Sequence, residues 1–151
     1  MNIKKIALGC DHGGFELKEK VAVFLRKTGY DILDCGAYSD ESMDYPDTAY
    51  KAACAVSKHK ADAGILICKS GIGNSIVANK VSGVRAALCY NMKAAKLSRQ
   101  HNDANVLVLG ASFIKADMAK KIVAAWLKTS FEGGRHLRRI KKIERIEKKC
   151  R

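Results

Sequence analysis

The residues best suited to chemistry follow a buried-looking apolar run near the middle of the chain. Cys68 ends this run, and Gly71 and Gly73 follow it closely. Two glycines let the backbone approach a ligand, and a helix that begins here directs its free N–H groups and its dipole at an anion. A thiol beside such N–H groups is favoured as thiolate, the form that acts as base or nucleophile. The segment therefore predicts an anion site, for a phosphate or a negatively charged intermediate.

Nucleotide-binding patterns fit this segment poorly. A dinucleotide fingerprint needs a third glycine, and Ile76 stands in its place. The P-loop pattern G-x-x-x-x-G-K-[S/T] does not occur in the sequence. The two glycines are therefore only weak support for a bound nucleotide.

Three other polar clusters are candidates for a site. Asp11 and His12 precede two glycines after the first apolar run, and residues 98–103 form a polar cluster between a helix and a strand. Arg135 and Arg139, spaced i, i+4, share one helix face, and paired guanidinium groups bind phosphate well. Each cluster also has a purely structural interpretation: a structural histidine, a capped helix end, and solvated surface charge.

The elements that position these residues alternate between strand and helix. Strands are predicted over 3–9, 30–35, 62–68, 84–89 and 105–109, and helices over 15–28, 46–59, 74–80, 92–100 and 116–128. Such alternation is typical of βαβ units with right-handed crossovers. We predict a single α/β domain over residues 1–151: a three-layer, Rossmann-like fold with a five-stranded parallel sheet and a C-terminal helix. Ligands bind such sheets at the carboxyl ends of the strands.

Composition excludes several classes of protein. The chain has 151 residues, 48% of them hydrophobic, which is enough for one buried core and argues against disorder. No apolar run has the length of a membrane span and no signal peptide is evident, so we expect a cytoplasmic protein that does not bind membranes. The six cysteines form no C-x-x-C motif and the four histidines are scattered, so we predict no metal site.

The positive charge is concentrated at the C-terminus. Residues 135–151 contain nine Lys or Arg and two Glu, a net charge of +7 out of +13 for the chain. Leu137, Ile140, Ile143 and Ile146 recur every third residue and form one helix face. We predict an amphipathic helix packed on the body or on a second subunit. Nucleic-acid binding is the alternative, but no aromatic residue lies among the charges to stack on bases.

Seven segments together resemble one family over about residues 3–147. The sequence Gly-Cys-Asp-His-Gly-Gly at 9–14 and the cysteine segment at 64–73 are two of them. The others lie at 44–47, 78–80, 83–86, 98–107 and 131–136. In this order they resemble the family of ribose-5-phosphate isomerase B and the galactose-6-phosphate isomerase subunits.

The resemblance implies an aldose–ketose isomerase without metal or cofactor, which interconverts ribose 5-phosphate and ribulose 5-phosphate through an enediolate in the pentose phosphate pathway. Cys68 would move a proton between C2 and C1, and Ser70 would move protons between the sugar oxygens. His101 would open the furanose ring, and Asp11 would polarise the sugar hydroxyls. The enediolate would be stabilised by the loop residues Gly71, Ile72, Gly73, Asn74 and Ser75.

The resemblance also assigns substrate-binding residues and an assembly. Asn102 would orient the substrate, and Tyr45 would line the pocket. His12, Arg135 and Arg139 resemble a phosphate-binding set. Members of the family are dimers or tetramers with sites at the subunit interface, so a homo-oligomer is expected, in which the C-terminal helix reaches a neighbour and no nucleic acid is needed.

One position departs from the family pattern. Many relatives carry an arginine after the fifth strand, and Ser112 occupies that place here, which leaves Lys69 or Lys115 as possible substitutes. This difference bears on the preferred sugar phosphate. Isomerisation of a six-carbon sugar phosphate, allose 6-phosphate or galactose 6-phosphate, therefore stays open as an alternative.

Overall fold

Strands and helices alternate along the chain almost without interruption. The computed structural model describes residues 3–149. The strands are β1 Lys5–Cys10, β2 Asp31–Asp34, β3 Ala63–Cys68, β4 Ala86–Leu88 and β5 Val106–Gly110. The helices are α1 Phe15–Lys27, α2 Tyr45–Ser57, α3 Ile72–Ala78, α4 Met92–Asn102, α5 Ala116–Lys128 and α6 Gly134–Lys149, and a 3-10 turn at His12–Gly14 precedes α1.

The five strands form one parallel sheet in the order β2-β1-β3-β5-β4. The chain moves from β1 to β2 on one side and to β3 on the other, so the strand order reverses between β1 and β3. Ligands of open α/β sheets bind in the crevice at such a reversal. The topology therefore predicts a ligand site at the carboxyl ends of β1 and β3, where Asp11 and Cys68 lie.

Helices cover both faces of the sheet. Alternation along each strand sends Ile6 and Leu8 to a core closed by α1, α4 and α5, and Ala7 to a core closed by α2 and α3. All six residues of β3 are buried, as expected for a central parallel strand. The predicted three-layer α/β fold with a parallel sheet and a C-terminal helix is confirmed.

The predicted element boundaries differ from the observed ones by a few residues. Helix α3 begins at Ile72 rather than at 74, so the glycine-rich segment runs directly into it. Strand β4 has three residues, Ala86–Leu88, rather than the predicted 84–89. Helix α6 ends at Lys149 among the described residues, and positions 150 and 151 of the predicted helix lie outside them.

Across residues 3–149, no helix combines the length and the apolar character that a bilayer crossing requires.

Candidate active site

Three loops meet at the carboxyl edge of the sheet. They follow β1, β3 and β5, which are adjacent in the strand order. Ala111 N–H donates to the Cys68 carbonyl at 2.9 Å, and Ser112 N–H donates to the Lys69 carbonyl at 2.9 Å. These bonds extend the pairing of β3 and β5 beyond the strands, so the loop that follows Cys68 is held on a rigid base.

The Cys68 thiol is the most chemically distinctive group at this edge. Its side chain lies at the end of β3 and only 4% of the residue is exposed. Gly71 N–H donates to Cys68 Sγ at 3.1 Å, in a backbone conformation with φ +83° that favours glycine. A donated hydrogen bond stabilises negative charge on the sulfur. Ser70 Oγ accepts from Ile72 N–H at 3.2 Å, so Ser70 lies in the same turn.

The glycine-rich segment forms the first turn of α3. The N–H groups of this turn have no partner within the helix, and they are the donors that the sequence predicted for an anion. Gly73 lies against the Tyr45 ring: a Cβ on Gly73 would be 2.5 Å from Tyr45 Cζ. Any larger residue at position 73 would collide with the Tyr45 ring, so glycine allows Tyr45 to pack against the loop.

Asn74 is an unusual member of this turn. It is fully buried, and neither its side-chain oxygen nor its side-chain nitrogen has a hydrogen-bond partner among the described residues. A buried amide without partners costs free energy, so such groups are uncommon in folded proteins. Ser75, one residue further along α3, is half-buried.

Asp11 and His12 extend the same edge from the end of β1. Asp11 Oδ1 accepts from Gly14 N–H at 2.9 Å, so the carboxylate caps the turn before α1. His12 Nδ1 accepts from Met43 N–H at 3.2 Å. A neutral imidazole whose Nδ1 accepts carries its proton on Nε2, so His12 presents an N–H donor on its other side.

His101 and Asn102 lie elsewhere. Helix α4 begins beyond the carboxyl end of β4 and runs back across the sheet, so its last residues reach the amino edge. Arg85 Nε, just before β4 begins, donates to the Asn102 carbonyl at 3.0 Å and confirms this placement. Within one chain, the structure therefore places His101 and Asn102 at the sheet edge opposite Cys68.

A second histidine accompanies His101. The rings of His101 and His136 stack with centroids 4.2 Å apart and planes 6° from parallel. Glu132 Oε2 lies 3.9 Å from His101 Nε2 and 3.8 Å from His136 Nε2. Burial lowers the pKa of His136, and the nearby charges of His101, Arg135 and Arg139 lower it further. Arg135 and Arg139 belong to the same helix, one position before and three positions after His136.

Nothing in the sequence predicts the pairing of Glu132 and His136 with His101. His136 is 35 positions beyond His101, and only the packing of α6 on α4 brings the rings together. His136 stood beside Arg135 in the 131–136 segment, but that position alone predicted no partner for it.

The His101, Glu132 and His136 group also has ligand atoms within 4.8 Å of one another. An imidazole nitrogen directs its lone pair in the plane of the ring. Because the two rings lie in nearly parallel planes, one ion cannot lie in both planes without a rotation of a ring.

The two groups of residues are referred to below by their positions. The carboxyl-edge half-site contains Asp11, His12, Tyr45, Cys68, Ser70 and the loop 71–75. The amino-edge half-site contains His101, Asn102, Arg135 and Arg139, with Glu132 and His136 beside them.

The fold and the sequence that builds this edge match a known class of proteins. The family model described as Ribose/Galactose Isomerase matches residues 6–143. The chain belongs to this family.

Individual relatives match over nearly their whole length. Ribose-5-phosphate isomerase B of Escherichia coli is 48% identical over 147 residues, which are 97% of this chain and 99% of that protein. The structure of ribose-5-phosphate isomerase B from Clostridium thermocellum has a TM-score of 0.96 and 52% identity, and covers 97% of this chain and 99% of its own. That of the Mycoplasma genitalium enzyme, with bound ribulose-5-phosphate, has a TM-score of 0.92 and 46% identity, and covers 95% and 96%.

Proposed function

We propose that this chain interconverts ribose 5-phosphate and ribulose 5-phosphate. The observation that carries the proposal is the Cys68 sulfur, held by Gly71 N–H at the start of an anion-binding turn. It occurs in a chain that is similar from end to end to ribose-5-phosphate isomerases B, one of them solved with ribulose-5-phosphate. No comparison favours a six-carbon sugar phosphate.

The reaction moves one proton between neighbouring carbons. The Cys68 thiolate removes the proton from C2 of the linear aldose, and the electron pair of the C–H bond forms the C1–C2 double bond of an enediolate. The negative charge on the enediolate oxygen is stabilised by the loop 71–75, in which the Gly73 and Asn74 N–H groups have no other partner among the described residues. Cys68 then returns the proton to C1, while Ser70 passes a proton between the two oxygens. No electron acceptor is required, because C1 is reduced as C2 is oxidised.

Ring opening precedes this step, because the furanose form has no acidic proton at C2. His101 donates a proton to the ring oxygen, and the proton of the C1 hydroxyl passes to the solvent, from which the imidazole is protonated again. His136 stacks on the His101 imidazole and the Glu132 carboxylate lies 3.9 Å from its Nε2, so both neighbours restrict its orientation. Asp11 and Asn102 bind the sugar hydroxyls, Tyr45 lines the pocket, and His12, Arg135 and Arg139 bind the phosphate.

The roles of Cys68 and His101 require two copies of the chain. The two residues lie at opposite edges of one sheet, so a complete site forms only where the carboxyl-edge half-site of one copy meets the amino-edge half-site of another. Helix α6 leaves Leu137, Ile143 and Ile146 exposed on one chain, and they are suited to such a contact. We propose a homo-oligomer, with a dimer as its smallest form and each copy a single domain.

We place the reaction in the cytoplasm. Five free thiols among the described residues agree with a reducing compartment.

The test measures ribulose 5-phosphate formed from ribose 5-phosphate by the purified chain, with EDTA present and allose 6-phosphate assayed in parallel. Cys68→Ala protein carried through the same purification is the blank. Rapid turnover of the pentose phosphate is expected and supports the proposal. Turnover of the hexose phosphate alone would keep the mechanism and change the substrate, whereas inactivity on both would contradict the proposal.

A further inference from the structure

A second feature of the carboxyl edge lies next to Cys68, and apart from His12 its residues have no role in the steps above. It is a cavity of about 500 Å³ between the loops after β1, β3 and β5, a volume typical of small-molecule sites. Its wall includes His12, Lys69, Ser112 and Lys115. We call it the lysine cavity.

The charge of the lysine cavity is positive. Lys20 and Glu16, also in its wall, form an ion pair with each other. Within residues 3–149, neither Lys69 nor Lys115 forms a salt bridge with a carboxylate. Two unpaired cations facing one cavity favour an anionic ligand.

Neutral donors complete the environment of these two lysines. His12 carries its proton on Nε2, as its contact with Met43 shows, and Ser112 adds a hydroxyl. Helices α1 and α5, each of 13 residues, begin at this cavity, and neither N-cap residue forms a side-chain capping bond. The positive ends of both dipoles therefore add to the lysine charge.

The geometry of the chain fixes the lysine cavity relative to the chemistry. Lys69 directly follows Cys68, and Ser112 N–H is bonded to the Lys69 carbonyl at 2.9 Å. A lysine side chain places its ammonium group four methylenes from the backbone, so an anion bound by Lys69 would lie away from the sulfur. That is the arrangement required by a linear sugar whose reacting carbons and phosphate are at opposite ends.

We propose that Lys69 and Lys115 bind the phosphate group of the substrate in the lysine cavity, with Ser112 and His12 as neutral donors. The inference rests on the proposed function and adds a specificity determinant to it: the chain that supplies Cys68 also supplies two phosphate cations. The lysine cavity therefore requires a substrate with a phosphate monoester, because an unphosphorylated pentose has no anionic group for the two lysines to bind.

The test compares Lys69→Ala and Lys115→Ala with Lys27→Ala, which removes an exposed lysine from the far end of α1. Losing one charge-assisted bond to phosphate is expected to raise KM for ribose 5-phosphate about tenfold, with little change in kcat. Lys27→Ala should leave KM unchanged. Adding Ser112→Arg to Lys69→Ala should restore much of the lost affinity, because it returns a cation to the same wall.

A second readout does not depend on turnover. Calorimetric titration with inorganic phosphate should show weaker binding by Lys69→Ala than by the unaltered chain or Lys27→Ala. Weaker phosphate binding in a chain without isomerase activity would support the lysine cavity and reject the proposed function. Isomerase activity with KM and phosphate affinity unchanged in both cavity variants would reject the lysine cavity and retain the function.

Discussion

At the scale of single residues, the thiols differ by their neighbours rather than by their burial. Cys10, Cys68 and Cys89 are all at most 4% exposed. Burial raises the pKa of both Cys10 and Cys89 to about 11, against a partial offset from one hydrogen-bond partner each. Cys68 instead receives an N–H from Gly71, which stabilises charge on its sulfur.

This difference predicts the order of alkylation. At about pH 8, a thiol whose pKa is about 11 is almost wholly protonated and reacts slowly with iodoacetamide. We expect Cys68 to be modified well before Cys10 and Cys89, and isomerase activity to fall in parallel with it. Peptide mass spectrometry at timed intervals measures both.

The control for this prediction is Cys68→Ala, which should be inactive before any reagent is added and should still fold, because only one sulfur is lost. Activity lost in step with Cys10 or Cys89, while Cys68 stays unmodified, would contradict the assignment of the base. So would substantial turnover by Cys68→Ala.

Contiguous motifs were the predictable part of the candidate site. Cys68 and the loop 71–75 were found from the sequence because a strand end, two glycines and a helix start occur together. The stacking of His136 on His101 was not predictable, because it depends on how α6 packs on α4. The lysine cavity was only partly foreseen: Lys69 and Lys115 were candidates, but their shared wall depends on the fold.

At the scale of elements, the buried Lys18 ammonium group links α1 to the edge strand β2. Lys18 is 1% exposed, and its Nζ donates to Asp34 Oδ1 at 3.0 Å, to Oδ2 at 2.9 Å and to the Ala37 carbonyl at 2.8 Å. Burial opposes the charge, but the bonds to Asp34 outweigh it and the pKa of Lys18 is raised. Lys18 thus joins α1 to β2 and to the loop that leads towards Tyr45.

Replacing this cation should be costly. We expect Lys18→Met to lower the free energy of unfolding by about 2 kcal/mol, because Asp34 and the Ala37 carbonyl lose their charged donor and keep only the Gly36 N–H and the weak Cys10 thiol. This loss of unfolding free energy is smaller than that for breaking a fully buried ion pair, since the Asp34 side chain is 31% exposed. Urea denaturation should show a lower midpoint with an unchanged slope.

Lys20→Met is the matched control in the same helix. Lys20 pairs with Glu16 at the surface, and exposed pairs contribute less than about 1 kcal/mol. Equal midpoints for the two variants would show that the Lys18 contacts add nothing beyond a surface pair.

The direction of α4 is the element-level fact that the sequence argument did not use. Alternating strands and helices predicted the sheet, but the polar cluster at 98–103 was placed only between a helix and a strand, without an edge of the sheet. A helix between two parallel strands must, however, return to the edge where the next strand begins. Its last residues, His101 and Asn102, therefore belong to the amino edge, as observed.

At the scale of the whole molecule, the cations suited to phosphate are divided between the same two edges of the sheet as the other site residues. The basic C-terminal helix α6 carries Arg135 and Arg139 next to His136, which stacks on His101, while the lysine cavity lies at the other edge. Each edge therefore carries cations suited to one end of a phosphorylated substrate. Bringing two copies together joins these cations around one phosphate and gives the tail a role that needs no nucleic acid.

Mixing two inactive variants tests whether the site is shared between copies. Cys68→Ala removes the base from one half-site, and His101→Ala removes the ring-opening group from the other. If each site combines Cys68 of one copy with His101 of another, a mixed dimer contains one site with both residues intact.

Equal amounts of the two variants, mixed and allowed to exchange subunits, should recover about one quarter of the unaltered activity. Half of the dimers are then mixed, and each mixed dimer has one intact site out of two. If one chain supplied both residues, the mixture would remain as inactive as its components. Mixing Cys68→Ala with Ser70→Ala, which alters the same half-site, is the control and should recover nothing by either account.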